Sequence, residues 1–391
     1  MIEFLRTNAS STARQINMHK RFFFFFLILL ATVGGLAQTK PAPSLPDKLT
    51  TAEFARLMME MSEPGGDFLS DNLISNETAY VPVLSKLKEL NATGGAYIGV
   101  GPEQNFTYIA KLRPRIAFIL DIRHLAATHH LLYKALFHLS PDRPQFMARL
   151  LSRPLVKDKP MAATAAVQEL LDYFARAKVD EALYAATLAE VRKTIEKDFQ
   201  IKLSEMDGKE LEHVLHSFKA DGMEIAFRFG GGWSYFPTLR EIVAQTDANG
   251  KSGHFLGSAE DYDFVRQLQM KNLIIPITGD FGGKKALAAI GDYLRKNGVT
   301  VTAFYLSNVE QYLFGDYTFG AFVANVKKLP INEQSLFIRS VLDRYDHPTH
   351  APGHLFTMLL QRMGVFVKDY DDGKYRDYYQ LVITNYIGVG R

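Results

Sequence analysis

The sequence predicts an α/β fold: a doubly wound sheet, mostly parallel, with a large helical insertion after its second strand. Two observations carry this. Four apolar runs each end in residues suited to a tight turn or a ligand: Ala96–Ile98 in Gly99, Ile116–Leu120 in Asp121, Asn272–Thr278 in Gly279-Asp280, and Thr300–Leu306 in Ser307-Asn308. Continuous apolar strands separated by helical patterns indicate a parallel sheet covered on both faces. Between the second and third runs, about 130 residues read as helices, too long an interval for a plain connection. The 391 residues are 47% hydrophobic and 22% charged, which supports a sizeable core.

The elements follow in chain order. Met18-His19-Lys20-Arg21 begins a positive stretch, Phe22–Val33 is apolar, and Gly34-Gly35-Leu36-Ala37 offers small residues for cleavage. This is the layout of a secretory signal peptide. Phe22–Ala37 is 16 residues, short of the roughly 20 that span a bilayer. The expectation is an upstream extension over 1–17 and a signal peptide over 18–37, exporting the protein to the periplasm or beyond. The alternative is an uncleaved membrane anchor with a cytoplasmic body. A proline-rich linker, 38–48, leads to a body over 49–391. Thr50–Met61 reads as a helix capped by Thr50 or Thr51, and Val81–Leu90 as a second. Helices are expected near 123–139, 142–151, 161–176, 180–203 and 207–219. Residues 228–258 read as irregular, and 259–269 as a short helix. Ala286–Asn297 is a helix stopped by Gly298. Later strands are expected at 334–340, 364–369 and 378–385. The helical insertion spans about 139–270.

Composition excludes several chemistries. The chain has no cysteine, so disulfides, iron–sulfur clusters, thiolate zinc sites and a cysteine nucleophile are absent. Residues 1–37 hold Arg6, Arg14, Lys20 and Arg21 against Glu3 alone, which accounts for the whole net charge of +3. A neutral body argues against nucleic acid as a partner. A membrane partner is expected only through the N-terminal segment. No Gly-x-Ser-x-Gly elbow, P-loop or HExxH occurs. His347, His350 and His354 sit among prolines and a glycine and read as an exposed loop. His213 and His216 beside Glu212 read as a solvated face. No metal is expected.

Gly99-Val100-Gly101 after a strand lets the backbone turn tightly and approach a ligand. Pro102 suits the first turn of a helix. Asp121 follows Gly101 by 20 residues, where a carboxylate can accept both hydroxyls of a ribose. A helix cap or a pair with Arg123 is the plainer alternative for Asp121. Ser307-Asn308-Val309-Glu310 also resembles a capping box.

With Gly99-Val100-Gly101-Pro102-Glu103-Gln104-Asn105, Gly279-Asp280-Phe281 and Tyr305-Leu306-Ser307-Asn308-Val309-Glu310-Gln311-Tyr312 in order, the chain resembles class I S-adenosylmethionine-dependent methyltransferases. More narrowly, it resembles a bacterial methyltransferase-like family that carries these strings. The resemblance covers roughly residues 70–345. It implies a Rossmann-like fold and S-adenosylmethionine as cofactor, with a small-molecule acceptor of unknown class. It implies that Gly99 and Gly101 pass under the methionine part of the cofactor, with Glu103, Gln104 and Asn105 beside them. Asp121 would hold the ribose, Asp280 the adenine amino group, and Phe281 the ring. Ser307, Asn308 and Glu310 would line the place where the methyl group meets its acceptor. Asn76, Glu77 and Tyr80 match the segment that covers the cofactor, with Tyr80 toward substrate. Glu310 and Tyr312 are the candidate catalytic residues. Trp233 and Tyr235 either stack on substrate or anchor the core. Tyr97 stands where many such enzymes carry an acid, and Asn105 stands near the place of a third glycine. Two other functions fit the strand ends: an exported, non-catalytic binder of a small molecule, and an NAD-dependent oxidoreductase. Asn105-Phe106-Thr107 is a glycosylation sequon, and the expectation is that Asn105 is unmodified, since a glycan there would block the pocket.

Overall fold

The computed structural model describes residues 44–158, 160–228, 236–350 and 352–389. The expectations for the upstream extension and signal peptide, and for Trp233 and Tyr235, lie outside them. Among the described residues no helix is long and apolar enough to cross a membrane.

A seven-stranded mixed sheet organises the body. Its strands are β1 (Ala96–Gly99), β2 (Ile116–Asp121), β3 (Ile274–Thr278), β4 (Val301–Ser307), β5 (Leu336–Leu342), β6 (Phe356–Arg362) and β7 (Ile387–Gly388). Their spatial order is β3-β2-β1-β4-β5-β6-β7. The first five run parallel, as expected. β6 runs antiparallel to both β5 and β7, so the far edge is a meander. Every residue of β1, β2 and β3 is buried, the mark of strands covered on both faces. The chain winds one way from β1 to β3 and the other way from β4, so the topological switch lies between β1 and β4. Open α/β sheets bind ligands beyond the carboxyl ends of the strands at that switch.

The helices are α1 (Thr51–Met61), α2 (Tyr80–Glu89), α3 (Gln104–Leu112), α4 (His124–Leu139), α5 (Arg143–Leu151), α6 (Val167–Arg176), α7 (Glu181–Lys193), α8 (Glu205–Asp221), α9 (Leu239–Ala244), α10 (Ala259–Met270), α11 (Ala286–Lys296), α12 (Val309–Gly315), α13 (Phe319–Val326), α14 (Met363–Asp371) and α15 (Tyr378–Ile383). Thr50 caps α1 in a reciprocal box with Glu53. Helices α5 to α10 lie in the insertion, with one π turn at Thr194–Asp198 extending α7. The expected irregular stretch 228–258 contains α9, capped by Thr238 with Glu241.

Three expectations are corrected. Residues 364–369 lie in a helix and 378–385 is helical up to Ile383, so neither is a strand, and the sixth strand is Phe356–Arg362. In α14, Met363 and Phe366 face the core, and in α15 Tyr378, Leu381 and Val382 do; both spacings are helical. The body also begins before residue 49, because Leu45 is buried and its carbonyl accepts from Arg115. Pro102 lies one residue before the N-cap of α3 rather than inside the helix.

Candidate functional site

A cleft of about 730 Å³ opens over the carboxyl ends of the strands at the switch. That volume lies within the range of small-molecule sites. Its first half is built by Gly101, Asp121 and Gly279-Asp280-Phe281, after β1, β2 and β3. Its second half is built by Ser307, Asn308 and Tyr312 after β4, with Leu342, Arg344 and Phe356 from the β5–β6 edge. Residues 62–79, between α1 and α2, lie across the strand ends and supply Phe68, Asn72 and Asn76.

Backbone bonds seat that covering segment. Glu63 N–H donates to Thr278 at 3.0 Å and Gly66 N–H to Ile122 at 2.8 Å. The Glu63 carboxylate accepts from the N–H of Lys285 and of Ala286, at the start of α11. Negative charge at a helix start is favourable. Arg123 finishes the attachment. Its guanidinium donates to the Asp71 carbonyl and grips Asp121 through Nε at 3.0 Å and Nη2 at 2.7 Å. Burial pushes the Asp121 carboxyl up, but Arg123 outweighs it and holds the group below the usual carboxylate range. Asp121 thus both pairs with Arg123 and faces the cleft. Oδ2 accepts a single bond and keeps a lone pair for a ligand.

The two glycines of the turn have different reasons. Gly101 has φ +79° and lines the cleft, so it needs freedom of backbone. A Cβ on Gly99 would stand 2.0 Å from Asn105 Oδ1, so this glycine makes room for Asn105 rather than for a ligand. Asn105 is fully buried. Its amide nitrogen donates to the carbonyls of Val100, Gly101 and Pro102 at 3.0, 2.9 and 2.8 Å, and its oxygen accepts from Tyr97. It clamps the turn from beneath and does not touch the cleft.

Several other expected residues also lie away from the cleft. Glu310 is buried in a two-bond ion pair with Arg339, at 2.5 Å to Nε and 3.0 Å to Nη2. Its place as a base at the site is corrected by that pairing. Tyr80 is buried with its hydroxyl on the Ile242 carbonyl. Gln104 is buried in the turn's underside, and neither of its amide atoms has a partner. Glu103 accepts from the Ser75 N–H, and burial pushes its carboxyl up to about 7. Glu77 lies one layer below the cleft. It accepts from Tyr305 at 2.7 Å, Ser307 at 2.6 Å and Ser340 at 2.5 Å. Burial outweighs the pull of these hydroxyls and leaves its carboxyl above the usual range.

The cleft brings together Asn76, Gly101, Asp121, Gly279, Asp280, Phe281, Ser307, Asn308 and Tyr312. Asp280 keeps one outward oxygen, because Oδ1 accepts from Gly282 N–H at 2.8 Å. Asn308 starts α12 without a side-chain cap bond, which leaves its amide to the cleft. Sequence reasoning did not find Phe68, Arg344, Asp67 or Asp316 at the site. Phe68 meets Tyr312 edge-on at 5.4 Å, and nothing in its local pattern marks it. Four aspartates (67, 121, 280, 316) face two arginines (123, 344), so the lining is net acidic. Phe68, Phe227, Phe236, Phe281, Tyr305, Tyr312 and Phe356 make much of the wall aromatic. Such a lining suits a flat ligand that carries positive charge.

Fold and site together define a doubly wound α/β protein, compatible with a Rossmann-like fold, with a ligand cleft at its topological switch. The chain belongs to the family described as Domain of unknown function (DUF7790), which matches residues 73–387, from within the covering segment to the start of β7. A search of curated proteins finds no match.

Proposed function

We propose that this protein binds S-adenosylmethionine in the cleft and transfers its methyl group to a small molecule. The observation that carries the reading is the cleft's charge and shape. An acidic, aromatic pocket at the switch point holds a carboxylate after β2 and another after β3. The sulfonium and the ammonium of the cofactor are both cationic, and the lining favours them. The same surplus of carboxylates opposes the two phosphates of NAD, which counts against the oxidoreductase reading. In this proposal Gly101 passes beneath the methionine part, Asp121 Oδ2 accepts a ribose hydroxyl, and Asp280 with Phe281 meets the adenine. The chain's contribution to an in-line transfer is mainly alignment of sulfonium methyl and acceptor.

A second reading, a binder without catalysis, draws on the locking of Glu310 by Arg339.

Calorimetric titration of the full chain with S-adenosylmethionine, S-adenosylhomocysteine and NAD tests the proposal. Asp280→Asn is the informative variant, because its Oδ1 can keep the bond to Gly282 while the outward oxygen becomes an N–H₂ that cannot accept from the adenine amino group. Asp121 is unsuitable, since its loss leaves Arg123 buried and unpaired. Micromolar binding of the first two ligands is expected, and Asp280→Asn should weaken it about 10-fold or more, the value of a hydrogen bond to a charged group. NAD binding tighter than either, or no binding by the folded protein, would refute it.

A further inference from the structure

The floor of the cleft's second half contains a proton-counting problem. Glu77 is fully buried and accepts from three hydroxyls, those of Tyr305, Ser307 and Ser340. The bonds are 2.5–2.7 Å, the range of a hydroxyl on an ionised carboxylate. A serine or tyrosine hydroxyl carries one proton. When Glu77 is ionised, all three protons are committed to it. Weaker options exist for Ser307, with Asn308 Oδ1 at 3.5 Å and Ser340 Oγ at 3.4 Å, but neither competes with a 2.6 Å bond to a carboxylate. Ser307 and Tyr305 also line the cleft. Toward the cleft they have only lone pairs to offer.

The backbone points the same way. Ser307 has φ +50°, a left-handed conformation that a serine rarely adopts. Such conformations persist where surrounding bonds over-determine them, and they cluster at functional sites. Here the serine is turned so that its hydroxyl meets Glu77.

We infer that this floor is a subsite that reads hydrogen-bond donors, so that the group methylated is a hydroxyl or an amine, and that its proton leaves through Ser307 to Glu77. The proton route rests on the methyl-transfer reading; the preference for a donor does not. The acceptor's O–H or N–H donates to Ser307 Oγ. As its lone pair attacks the sulfonium methyl, the C–S bonding pair passes to sulfur and leaves a neutral thioether. The new bond is C–O or C–N. The acceptor's proton moves to Ser307 Oγ while the serine's own proton moves to Glu77 Oε1, which ends as a carboxylic acid. Charge is conserved, since sulfonium and carboxylate are lost together. Glu77 thus fills the role that Glu310, locked by Arg339, does not.

Ligand-observed NMR on the full chain tests the donor preference with three aromatic probes: benzyl alcohol, benzylamine and acetophenone. The last accepts hydrogen bonds but donates none, and it shares the neutral charge of the first. Benzyl alcohol and benzylamine should bind at least 10-fold tighter than acetophenone. In Glu77→Gln the amide N–H₂ must donate to one of the hydroxyls, which frees that hydroxyl's proton toward the cleft. The preference should then fall toward unity. A merely structural role for Glu77 would change stability and leave the ratio alone. Ser307→Ala, which removes one of the two cleft-facing oxygens, should also narrow the ratio and serves if Glu77→Gln does not fold. Equal binding of the three probes by the wild type, no binding of any at about 10 mM, or an unchanged ratio in the folded variants overturns the inference. Repeating the measurement with S-adenosylhomocysteine separates the two proposals. A donor preference without homocysteine-ligand binding keeps the subsite and removes methyl transfer, and the converse removes the subsite alone.

Discussion

Replacing Glu310 with glutamine distinguishes a structural carboxylate from a catalytic one. Arg339 is as buried as its partner. Nε and Nη2 donate to Glu310, and Nη1 donates to Gln361 at 2.7 Å. Its guanidinium lies over the rings of Phe337 at 4.7 Å and Phe366 at 5.4 Å. Glu310→Gln therefore leaves a buried cation without its counter-charge. Breaking such a pair costs about 3–5 kcal/mol. Total stabilities are about 5–15 kcal/mol, so a large share is lost. In a protein of this size the midpoint of thermal unfolding should fall by about 4–7 °C. Circular dichroism melts and urea titration measure it. Glu310→Leu with Arg339→Met removes both charges and should recover most of the loss, because apolar replacement of a buried pair is often neutral. Binding of S-adenosylmethionine to the folded fraction should be unchanged. A Glu310→Gln protein with wild-type melting but lost activity would refute the structural assignment and restore the catalytic one.

Two other outcomes follow from the glycine turn after β1. Burial holds the Glu103 carboxyl up at about 7, against an ordinary value of 4.5. Its folded value is the higher one, so its favourable share is fully present below pH 4.5 and is lost as pH rises through 7. Glu103→Gln should remove that slope, stabilising the protein near pH 8 by up to about 3 kcal/mol and leaving it unchanged near pH 4.5; urea titrations at the two pH values check it. Gly99→Ala should destabilise the protein strongly, since the new Cβ meets Asn105 Oδ1 at 2.0 Å. Gly99→Ala with Asn105→Gly removes the contact with Asn105 but leaves the Cβ 2.7 Å from the Tyr97 hydroxyl and the Val100 carbonyl without its Asn105 bond, so the double variant should recover only part of the loss in the same melts.

The parallel half of the sheet was legible because its strands are buried on both faces and read as unbroken apolar runs. The far edge was not. Residues 364–369 and 378–385 are rich in β-branched and aromatic residues, yet they fall on helices (the second as far as Ile383) whose buried residues recur three or four apart. Asp377 was the available cue, as its side chain caps α15 on Gln380 N–H. Phe356–Arg362 contains Met and Leu pairs that suit a helix as well, and its strand state comes from pairing with β5. At the site, residues that end strands were readable because topology puts every such end on one edge. Partners were not. Arg339 and Glu310 lie 29 positions apart, and Ser340 and Glu77 lie 263 apart. No local pattern marks a carboxylate as locked or as bonded only to hydroxyls. Asp121 with Arg123, two positions apart, was the exception, and it was foreseen as one of two alternatives.

The attachment of residues 62–79 has a kinetic consequence. Glu63 meets Lys285 across 222 positions, and Arg123 meets Asp71 across 52. The cleft's wall is thus made by an early stretch of chain that must wait for β3 and α11 before it has anything to hold. Contacts this distant in sequence form late. Ligand capture during refolding should appear only in the last phase, after the sheet's own spectroscopic signal is complete, so the bound ligand acts as a reporter of the final docking event.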